Sequence, residues 1–463
     1  KWAVRETFGV DPDRLNDDRI ARCLDALAEK IDPVQGAVTV AAVREFGLDL
    51  SQLHWDLTSV VLQGEYPPEE QDPAHPQPRH GFGGADGCKQ LRVGELVTAD
   101  GAVPIWHESL DGNRADVGTV VATMEALKKE VPLPECLVIG DTKLLSAEVL
   151  SKLRDQRLHF LAPLPKAAEL DREFLSLDPE GWKALDYVAQ RQEKLPQEVR
   201  TQYLGQEVPW EWTHPDTGET QLFRRLYVIS SEERETCRKV RGQQLVRAAT
   251  ELNKVLAGLG KGRLKTREQV QARVEKVLTE RRVQPFFQVT VTEEAGKPLL
   301  EWELEAEAIA AAERLDGYYC LLTSWPGERA DASALLRRWK GEWQIERRFS
   351  DWKGPLRVRP IFLTSNKRMA ALVLLLHLTL MLYCLLEREA RRALARRGQQ
   401  KVRRLLAGHV DAVPTGENLL LAFEHLFLFI EEEEHGREHH VSEMFPEQEE
   451  LWKLLGCQMP AWR

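Results

Sequence analysis

The chain has 463 residues, more than one ordinary domain, so we expect a core domain with a large insertion or appendage. Hydrophobic residues make up 43% and charged residues 29%, a composition typical of soluble globular proteins. The net charge of −10 argues against a protein whose entire surface binds nucleic acid, although local basic clusters can still do so.

The cysteines are scattered and form no Cys-x-x-Cys pair. This pattern favours reduced, mostly buried thiols in a cytosol over a zinc site or a disulfide framework. No secretory signal is visible, and the first residue is Lys1 rather than Met, so we expect that an N-terminal part precedes it. The cysteines are Cys23, Cys88, Cys136, Cys237, Cys320, Cys384 and Cys457.

The first 50 residues are predicted to be helical. Asp17 and Asp18 can cap a helix over Ile20–Lys30. A second helix is expected over Ala37–Phe46, after a break at Pro33–Gly36. No catalytic chemistry is predicted for this region.

His54–Leu62 is rich in Val, Thr and Leu and is predicted to be a strand that contains Asp56. A carboxylate on a central strand is costly unless it is paired or bound to a metal. An edge strand with Asp56 in solvent remains the alternative. The Pro- and Gly-rich stretch Gln63–Lys89 has no periodicity and is predicted to be a long loop.

Two further strands, Leu91–Ala99 and Val103–Leu110, are predicted to form a hairpin through the turn Asp100-Gly101. Together with the first strand they make an antiparallel meander. Asp116 can then cap a helix over Val117–Glu130.

The next strand, Cys136–Gly140, ends at Asp141, and the helix Ser146–Gln156 and the strand His159–Pro163 follow. The order strand, strand, strand, helix, strand, helix, strand is the ribonuclease-H-like pattern, an α/β fold with a mixed five-stranded sheet flanked by helices. It places the first and fourth strands side by side, so Asp56 and Asp141 should meet near a strand end, where active sites of α/β sheets collect. A simple turn or cap role for Asp141 stays open.

The predicted sheet is interrupted by a large α+β insertion. The insertion lies before the helical stretch Ala332–Leu356, which carries the last of the candidate site residues. The predicted domains are a helical N-terminal region (1–50), a first core part (51–165), the insertion (166–315), a second core part (316–405) and an acidic helical C-terminal region (406–463). The run Glu387–Arg404 is strongly basic, and it fits a solvated helix and a phosphate-binding surface equally well.

Ala332–Leu356 is predicted to be one helix on which Trp339, Glu346 and Lys353 fall seven residues apart and share one face over about four turns. Glu342 lies one turn before Glu346 on that face. Like charges four residues apart cost stability, and a bound cation or Lys353 would remove that cost. A solvated amphipathic helix is the alternative interpretation.

Ala370–Leu386 is apolar and lies at the short end of what can span a bilayer, for which roughly 20 apolar residues are needed. We predict a buried core helix with His377 as a core histidine. A membrane-associated protein is the competing hypothesis.

These segments resemble the cut-and-paste DNA transposases of bacterial insertion sequences, in the DDE group with a Tyr-x2-Arg-x3-Glu-x6-Lys signature. The matching pieces occur in the family's order and span much of the chain. They are HWDLTS at His54–Ser59, DGNRADVGTV at Asp111–Val120, GDTKLLS at Gly140–Ser146 and WKGEWQIERRFSDWKGPLRVRP at Trp339–Pro360.

The resemblance implies a DNA transposase that cleaves strands at element ends and transfers them into target DNA. It implies Mg²⁺ as the cofactor, with Mn²⁺ as a possible substitute. The implied partners are double-stranded DNA, as terminal inverted repeats and target, and a second copy of the chain in a homodimer on DNA, with no membrane. The implied location is the bacterial cytoplasm, in association with the nucleoid. The implied catalytic and metal-binding residues are Asp56, Asp141 and Glu346, and the implied DNA-binding residues are Lys353, Trp339, Arg347 and Arg348.

The chain departs from the signature at two positions. Trp339 stands where the family has Tyr, and Glu342 stands where it has Arg. Thr142-Lys143 also follows the second aspartate, where relatives often carry Arg-Gly. Because Glu342 reverses a charge beside phosphates, a catalytically weak DNA-binding relic is the alternative function.

Overall fold

The fold is taken from a computed structural model, which describes residues 5, 9–81, 87–115, 118–356, 361–406, 410–433 and 436–458. The predicted cap Asp116 lies outside these residues. The strands are β1 (Gln52–Val61), β2 (Gln90–Thr98), β3 (Pro104–Leu110), β4 (Leu137–Ile139), β5 (His159–Pro163), β6 (Lys183–Ala184), β7 (Tyr203–Thr213), β8 (Thr220–Ser230), β9 (Phe287–Glu294), β10 (Lys297–Leu304), β11 (Tyr318–Thr323), β12 (Val402–Leu406), β13 (Val410–Ala412), β14 (Leu428–Glu433) and β15 (Gly436–Val441). The helices are α1 (Asp17–Ala28), α2 (Ile31–Phe46), α3 (Thr119–Glu130), α4 (Ala147–Asp155), α5 (Ala168–Ser176), α6 (Ser231–Ala257), α7 (Arg267–Arg281), α8 (Ala306–Arg314), α9 (Ala332–Trp339), α10 (Trp343–Lys353), α11 (Asn366–Arg396), α12 (Gly416–Leu421) and α13 (Pro446–Leu454).

The chain divides into two compact units. The first unit comprises Lys1–Ala162, His214–Thr217 and Arg338–Arg463, and the second comprises Pro163–Thr213 and Gly218–Arg337. Every residue that the sequence analysis assigned to the candidate site therefore belongs to the first unit.

The strands of the first unit lie in the order β3-β2-β1-β4-β5. β1 pairs antiparallel with β2 and parallel with β4, β2 pairs antiparallel with β3, and β4 pairs parallel with β5. The meander and the parallel neighbours confirm the predicted ribonuclease-H-like sheet. β1 is the central strand, so the edge-strand alternative for Asp56 is wrong.

The two N-terminal helices form for local reasons that the sequence analysis only partly identified. The side chain of Asn16, rather than an aspartate, caps α1 by accepting a backbone N–H. The predicted break at Pro33–Gly36 is wrong, because Pro33 lies in the first turn of α2, where its missing N–H costs nothing. Gly36 lies within the helix and packs closely against α3. A Cβ on residue 36 would lie 2.5 Å from Cβ of Glu130, which explains why this position is a glycine.

The apolar segment lies in α11, the one helix in the described residues that is long and apolar enough to cross a membrane. Most of its apolar stretch is buried, and it packs against α1, α2 and β3. His377 is fully buried, its Nδ1 lies 2.8 Å from Oε2 of Glu95, and its ring stacks on that of His107. The prediction of a buried core helix with a core histidine is confirmed.

The second unit is α+β, as the predicted insertion is. β7 pairs with β8 as a long hairpin, β11 adds to β8, and β6 adds to β7. A separate hairpin, β9–β10, packs with α6 and α7 around a core of Leu252, Val274, Phe287 and other apolar residues.

The C-terminal region is only partly helical. It contains α12 and α13, but also the hairpins β12–β13 and β14–β15, and the acidic run starting at Glu431 lies in β14. Leu419 and Leu451 pack against the end of α11 together with Val402.

The described cysteines form no disulfide; Cys136, Cys320 and Cys384 are buried, while Cys23 and Cys457 are exposed.

Gly94 on β2 tests how tightly the sheet is packed beside the candidate site. A Cβ at Gly94 would lie 2.0 Å from Cη2 of the buried Trp55, so we expect Gly94→Ala to lower the free energy of unfolding by about 1–3 kcal/mol. Gly242→Ala is the control, because nothing lies within 4 Å of that position in the interior of α6, and it should stabilise by about 0.5–1 kcal/mol. Urea denaturation measures both; equal effects would contradict the packing argument.

Candidate active site

One face of β1 carries the polar side chains of the candidate site. Side chains on a strand alternate between its two faces, so every second residue of β1 points the same way. Asp56 lies in the middle of this set, and its Oδ1 accepts a 2.7 Å hydrogen bond from the backbone N–H of Leu57. The residues of this face are Gln52, His54, Asp56 and Thr58.

The chain from α9 to α10 runs along this face in the same direction as β1. At its start, Nε of Arg338 donates a 3.1 Å hydrogen bond to Oε1 of Gln52. Further on, Gly341 lies beside His54, where an added Cβ would be 3.5 Å from Cε1 of the ring. The two contacts fix the beginning of the helical segment over the beginning of β1.

A third contact fixes the other end. Nζ of Lys353, the last residue of α10, donates a hydrogen bond to Oγ1 of Thr58. Asp56 therefore lies between the contacted positions of β1, and Glu342 and Glu346 lie between the contacted positions of the helical segment. The three contacts place the stretch that contains both glutamates along the part of β1 that contains Asp56.

The predicted single helix is in fact two helices. α9 ends at Trp339 and α10 begins after Glu342, so Trp339 does not share a continuous helix with Glu346, and that prediction is wrong. The interruption is a tight turn at Gly341, in which its N–H bonds the carbonyl of Arg338 at 3.1 Å and the N–H of Glu342 bonds that of Trp339 at 3.0 Å. Glycine weakens a helix interior, which explains the position of the turn.

Asp141 joins the site through strand register. β1 and β4 pair in parallel with His54 opposite Ile139, and the same register continued by two residues brings Asp56 opposite Asp141. Asp141 also caps the turn after β4, because its Oδ1 accepts a 3.0 Å hydrogen bond from the N–H of Lys143. The cap role and the site role of Asp141 are compatible.

The carboxylates of the site influence one another electrostatically. Burial raises the pKa of Asp56 to about 6, and the negative charges of Asp141 and Glu346 add to that rise. Burial likewise raises the pKa of Glu342 to about 8, with further contributions from Asp56, Asp141 and Glu346. Burial also raises the pKa of Asp141, whereas the nearby Arg92 lowers it. Four carboxyl groups thus lie within electrostatic range of one another.

This donor set suits a hard divalent cation, since Mg²⁺ and Mn²⁺ prefer carboxylate oxygens. A cation would also relieve the repulsion among the four groups. In the part of the chain that the structure describes, no three His, Cys, Asp or Glu side chains are already arranged to hold a metal.

The four predicted DNA contacts have different surroundings. Arg348 is only 3% exposed, and its guanidinium bonds Glu387 and the carbonyls of Gly101 and Ala102. The prediction that Arg348 contacts DNA needs correction, because its charge and donors are used inside the protein. The other three, Trp339, Arg347 and Lys353, are partly exposed.

The sequence analysis missed Glu387. It treated this residue as part of a basic run, whereas the structure buries its carboxylate beside the helix that carries Glu346. A signal was present: Glu387 ends an apolar helical stretch and has Arg391 one turn later, and a carboxylate on a buried helix requires a partner.

Two substitutions test the electrostatics of the metal-free protein. Because the folded-state pKa of Asp56 is raised, the native state binds more protons than the unfolded state between about pH 4 and 6, and stability falls as the pH rises through that window. Asp56→Asn should therefore stabilise the protein at pH 7 relative to wild type and lose this advantage at pH 4. For Glu342→Gln the gain should continue to grow up to about pH 8.

Thermal denaturation with a chelator present, at several pH values, measures both effects. Glu70→Gln is the matched control, since Glu70 is an exposed loop glutamate and the substitution removes the same charge. If both site variants followed the pH profile of the control, the pKa values of Asp56 and Glu342 would not be raised in the folded protein.

Comparison with known proteins identifies a family for the chain. The family model described as "Transposase DDE domain" matches residues 65–384, a range that includes Asp141 and Glu346 and begins after Asp56. No curated protein matches the sequence.

Several solved structures are similar to the chain at low identity. A piggyBac transposase synaptic complex with hairpin DNA is 7% identical, with 79% of this chain and 50% of that chain covered and a TM-score of 0.34. A Mos1 transposase paired-end complex with the left transposon end is 12% identical, with 34% and 45% covered and a TM-score of 0.18. A Mos1 mariner paired-end complex with Mn is 14% identical, with 32% and 44% covered and a TM-score of 0.17. The chain spans about half the length of the transposases it matches or less. Since the family match extends over most of the sequence, the chain belongs to the family of proteins with a transposase DDE domain.

Proposed function

We propose that the protein is the DNA transposase of an insertion sequence, with Asp56, Asp141 and Glu346 as its catalytic residues. The observation that supports the proposal is that α10 runs along the face of β1 that carries Asp56, with Asp141 opposite Asp56 in continued strand register and with the charges of Asp141 and Glu346 both raising the pKa of Asp56. Membership of the family supports it. The proposed activity is strand cleavage at the ends of the element, followed by strand transfer into target DNA.

The three carboxylates would hold divalent metal, Mg²⁺ or Mn²⁺ as its substitute. When bound, such ions stabilise the attacking and leaving oxygens of an in-line phosphoryl displacement. Asp56 would be one of the ligands together with Asp141 and Glu346, since the charges of both act on its carboxyl group. The first displacement would use water and free a 3′-OH at the element end, and that 3′-OH would then attack the target strand.

The residues around the carboxylates would position the DNA. Lys353 is held at Thr58 on the same face of β1 as Asp56, where its ammonium would contact a phosphate next to the cleaved bond. Trp339 and Arg347 are partly exposed near the same helix and would contact the DNA on either side. Arg348 is assigned no DNA contact.

The wider DNA surface would lie on exposed cations. Two basic segments of the sequence, Arg234–Arg282 and Arg388–Arg404, are the candidates. In the segment Arg388–Arg404, Arg388 is buried and bonds Asp100 and the carbonyl of Phe46, so part of that segment stabilises the fold instead. In the segment Arg234–Arg282, the loop between α6 and α7 exposes the side chains of Lys261, Arg263 and Lys265.

The biological setting follows from the proposed reaction. Two element ends must be held together during transposition, so the proposal includes a homodimer on DNA. The substrate would be double-stranded DNA, as terminal inverted repeats and as target, in the cytoplasm of a bacterium and in association with its nucleoid. The apolar helix is largely buried within the first unit, so no membrane partner is proposed.

A catalytically weak DNA-binding relic is the second candidate. It is favoured by Glu342, which adds a fourth carboxyl group where the family signature has a cation. When ionised, such a group would repel a phosphate that enters the site. The relic would bind DNA and fail to cleave it.

Metal-dependent cleavage is the direct test of the three carboxylates. With duplex DNA that carries the inverted repeats flanking the coding sequence, we expect Asp56→Asn, Asp141→Asn and Glu346→Gln each to lower the cleavage rate by at least about 100-fold, because bound metal contributes several kcal/mol to transition-state stabilisation. Glu70→Gln should cleave at the wild-type rate.

Cleavage that survives all three substitutions would place the chemistry elsewhere. If wild type binds this DNA without cleaving it, and Glu342→Arg restores cleavage, the relic hypothesis is correct instead.

Salt dependence tests the proposed DNA surface. Replacing Lys261, Arg263 and Lys265 by Gln should reduce the slope of log affinity against log salt by about 0.9 for each phosphate that the variant no longer neutralises. The matched control replaces Lys254, Arg273 and Lys276 by Gln; their side chains are also exposed but pair with Glu251 or Glu280. Filter binding at several salt concentrations measures both. An equal decrease of the slope in the two triple variants would contradict a specific role for the loop.

A further inference from the structure

Glu387 is a carboxylate in the interior of the first unit. It lies on the core helix α11, and its side chain is 1% exposed. An ionised carboxylate removed from water is costly unless charged partners and hydrogen bonds replace its hydration. The partners of Glu387 therefore show what it holds in place.

Four groups converge on this carboxylate. Oε1 accepts from Nη2 of Arg348 at 3.1 Å and forms an ion pair with Nη1 of Arg391 at 2.8 Å. Oε2 accepts from Nη2 of Arg347 at 3.1 Å and from the backbone N–H of Gly416 at 3.1 Å. Two of these partners, Arg347 and Arg348, are consecutive residues of α10 and directly follow Glu346 in the sequence.

Arg348 extends the connection to the sheet. Its Nη2 donates to the carbonyl of Gly101 at 2.7 Å and its Nε donates to that of Ala102 at 3.2 Å, both in the turn between β2 and β3. Its Nη1 donates to Oδ2 of Asp351 on the next turn of α10 at 2.9 Å. One buried guanidinium thus joins α10 to α11 and to the β2–β3 turn.

Apolar packing does not fix α10 as closely. Ile345 and Phe349 pack against Val97 and Ala102, and Trp352 is fully buried. Apolar contacts are less directional than charged hydrogen bonds, so they fix which face of the helix is buried but define its exact rotation and axial position less sharply. Charged hydrogen bonds require defined distances and angles, so they do restrict such motion.

We propose that Glu387 is a positioning residue for the candidate active site: through Arg347 and Arg348 it fixes the rotation and axial position of α10, and thereby the place of the Glu346 carboxylate over Asp56. The inference rests on the proposed function, because it gives Glu346 a metal to bind. It adds a residue outside the signature that holds the catalytic helix in register.

The test compares Glu387→Gln with Arg391→Gln. Gln keeps the shape of Glu387 but removes the charge that attracts Arg347 and Arg348. Arg391 bonds the same carboxylate but belongs to α11, so its loss removes no bond to α10. The readouts are the affinity for Mn²⁺ alone, by electron paramagnetic resonance, the unfolding midpoint in urea, and the single-turnover cleavage rate.

We expect Glu387→Gln to weaken Mn²⁺ binding and to slow cleavage by about 10–100-fold each, as loss of residues that orient metal ligands commonly does. Arg391→Gln should change the Mn²⁺ affinity and the cleavage rate by less than about threefold each. This should hold even if its unfolding midpoint falls as much as that of Glu387→Gln. This difference separates positioning from a general loss of stability. If Glu387→Gln does not fold, Arg348→Lys replaces it, since lysine keeps the charge but cannot form the same set of bonds, and the same result is expected.

The inference is overturned if Glu387→Gln or Arg348→Lys binds Mn²⁺ as wild type does, or if Arg391→Gln weakens binding equally. The failure of the proposed function gives a different result, because wild type itself would then bind no Mn²⁺, or would bind it no more tightly than Asp56→Asn. In that case the inference falls with the proposed function. If wild type binds Mn²⁺ and Asp56→Asn does not, only the behaviour of the Glu387 variants decides the inference.

Discussion

The alignment of α10 with one face of β1 is the constraint on which the candidate site depends. A strand presents a side chain to the same face about every 6.6 Å, while a helix advances about 1.5 Å and turns about 100° with each residue. A shift of α10 by one residue would therefore carry Glu346 away from Asp56, and it would also turn Ile345, Phe349 and Trp352 away from the core in which they are buried. The bonds of Lys353 to Thr58 and of Arg338 to Gln52 hold this alignment from the two ends of the segment.

The site is also a place where the fold gives up stability. Burial and like charge oppose ionisation of Asp56 and Glu342, and the native protein keeps them together all the same. Such a cluster persists only when the surrounding structure determines its geometry. Here the surroundings are rigid: β1 is central in the sheet, and the buried charges of Arg348 and Glu387 are fully paired.

Much of the fold was predictable because its signals are local. Alternating apolar residues and the turn Asp100-Gly101 predict the meander, and its order with the next two strands predicts that Asp56 meets Asp141. The helix break was missed because a single glycine, Gly341, is a weak signal within a strongly helical stretch. The interior position of Arg348 could not be predicted, since its main partner, Glu387, is 39 residues away and belongs to another helix. Local patterns identify elements and topology, whereas the burial of a charge depends on partners that only the tertiary structure brings together.

Glu342 shows how the structure changes the meaning of a substitution. In the sequence it reverses a charge where the family signature has arginine. In the structure it occupies the N-cap position of α10, where a helix favours negative charge, so a local reason for an acidic residue exists without any metal. Because burial and the neighbouring carboxylates raise its pKa to about 8, the metal-free protein carries Glu342 mainly in the protonated form at pH 7. A protonated Glu342 repels no phosphate, so the charge reversal is weaker than the sequence implies. A bound cation would favour the ionised form instead, and Glu342 would then offer the metal another oxygen ligand rather than oppose the DNA. Whether Glu342 hinders or assists the reaction therefore depends on whether the site holds the metal when the DNA phosphate enters.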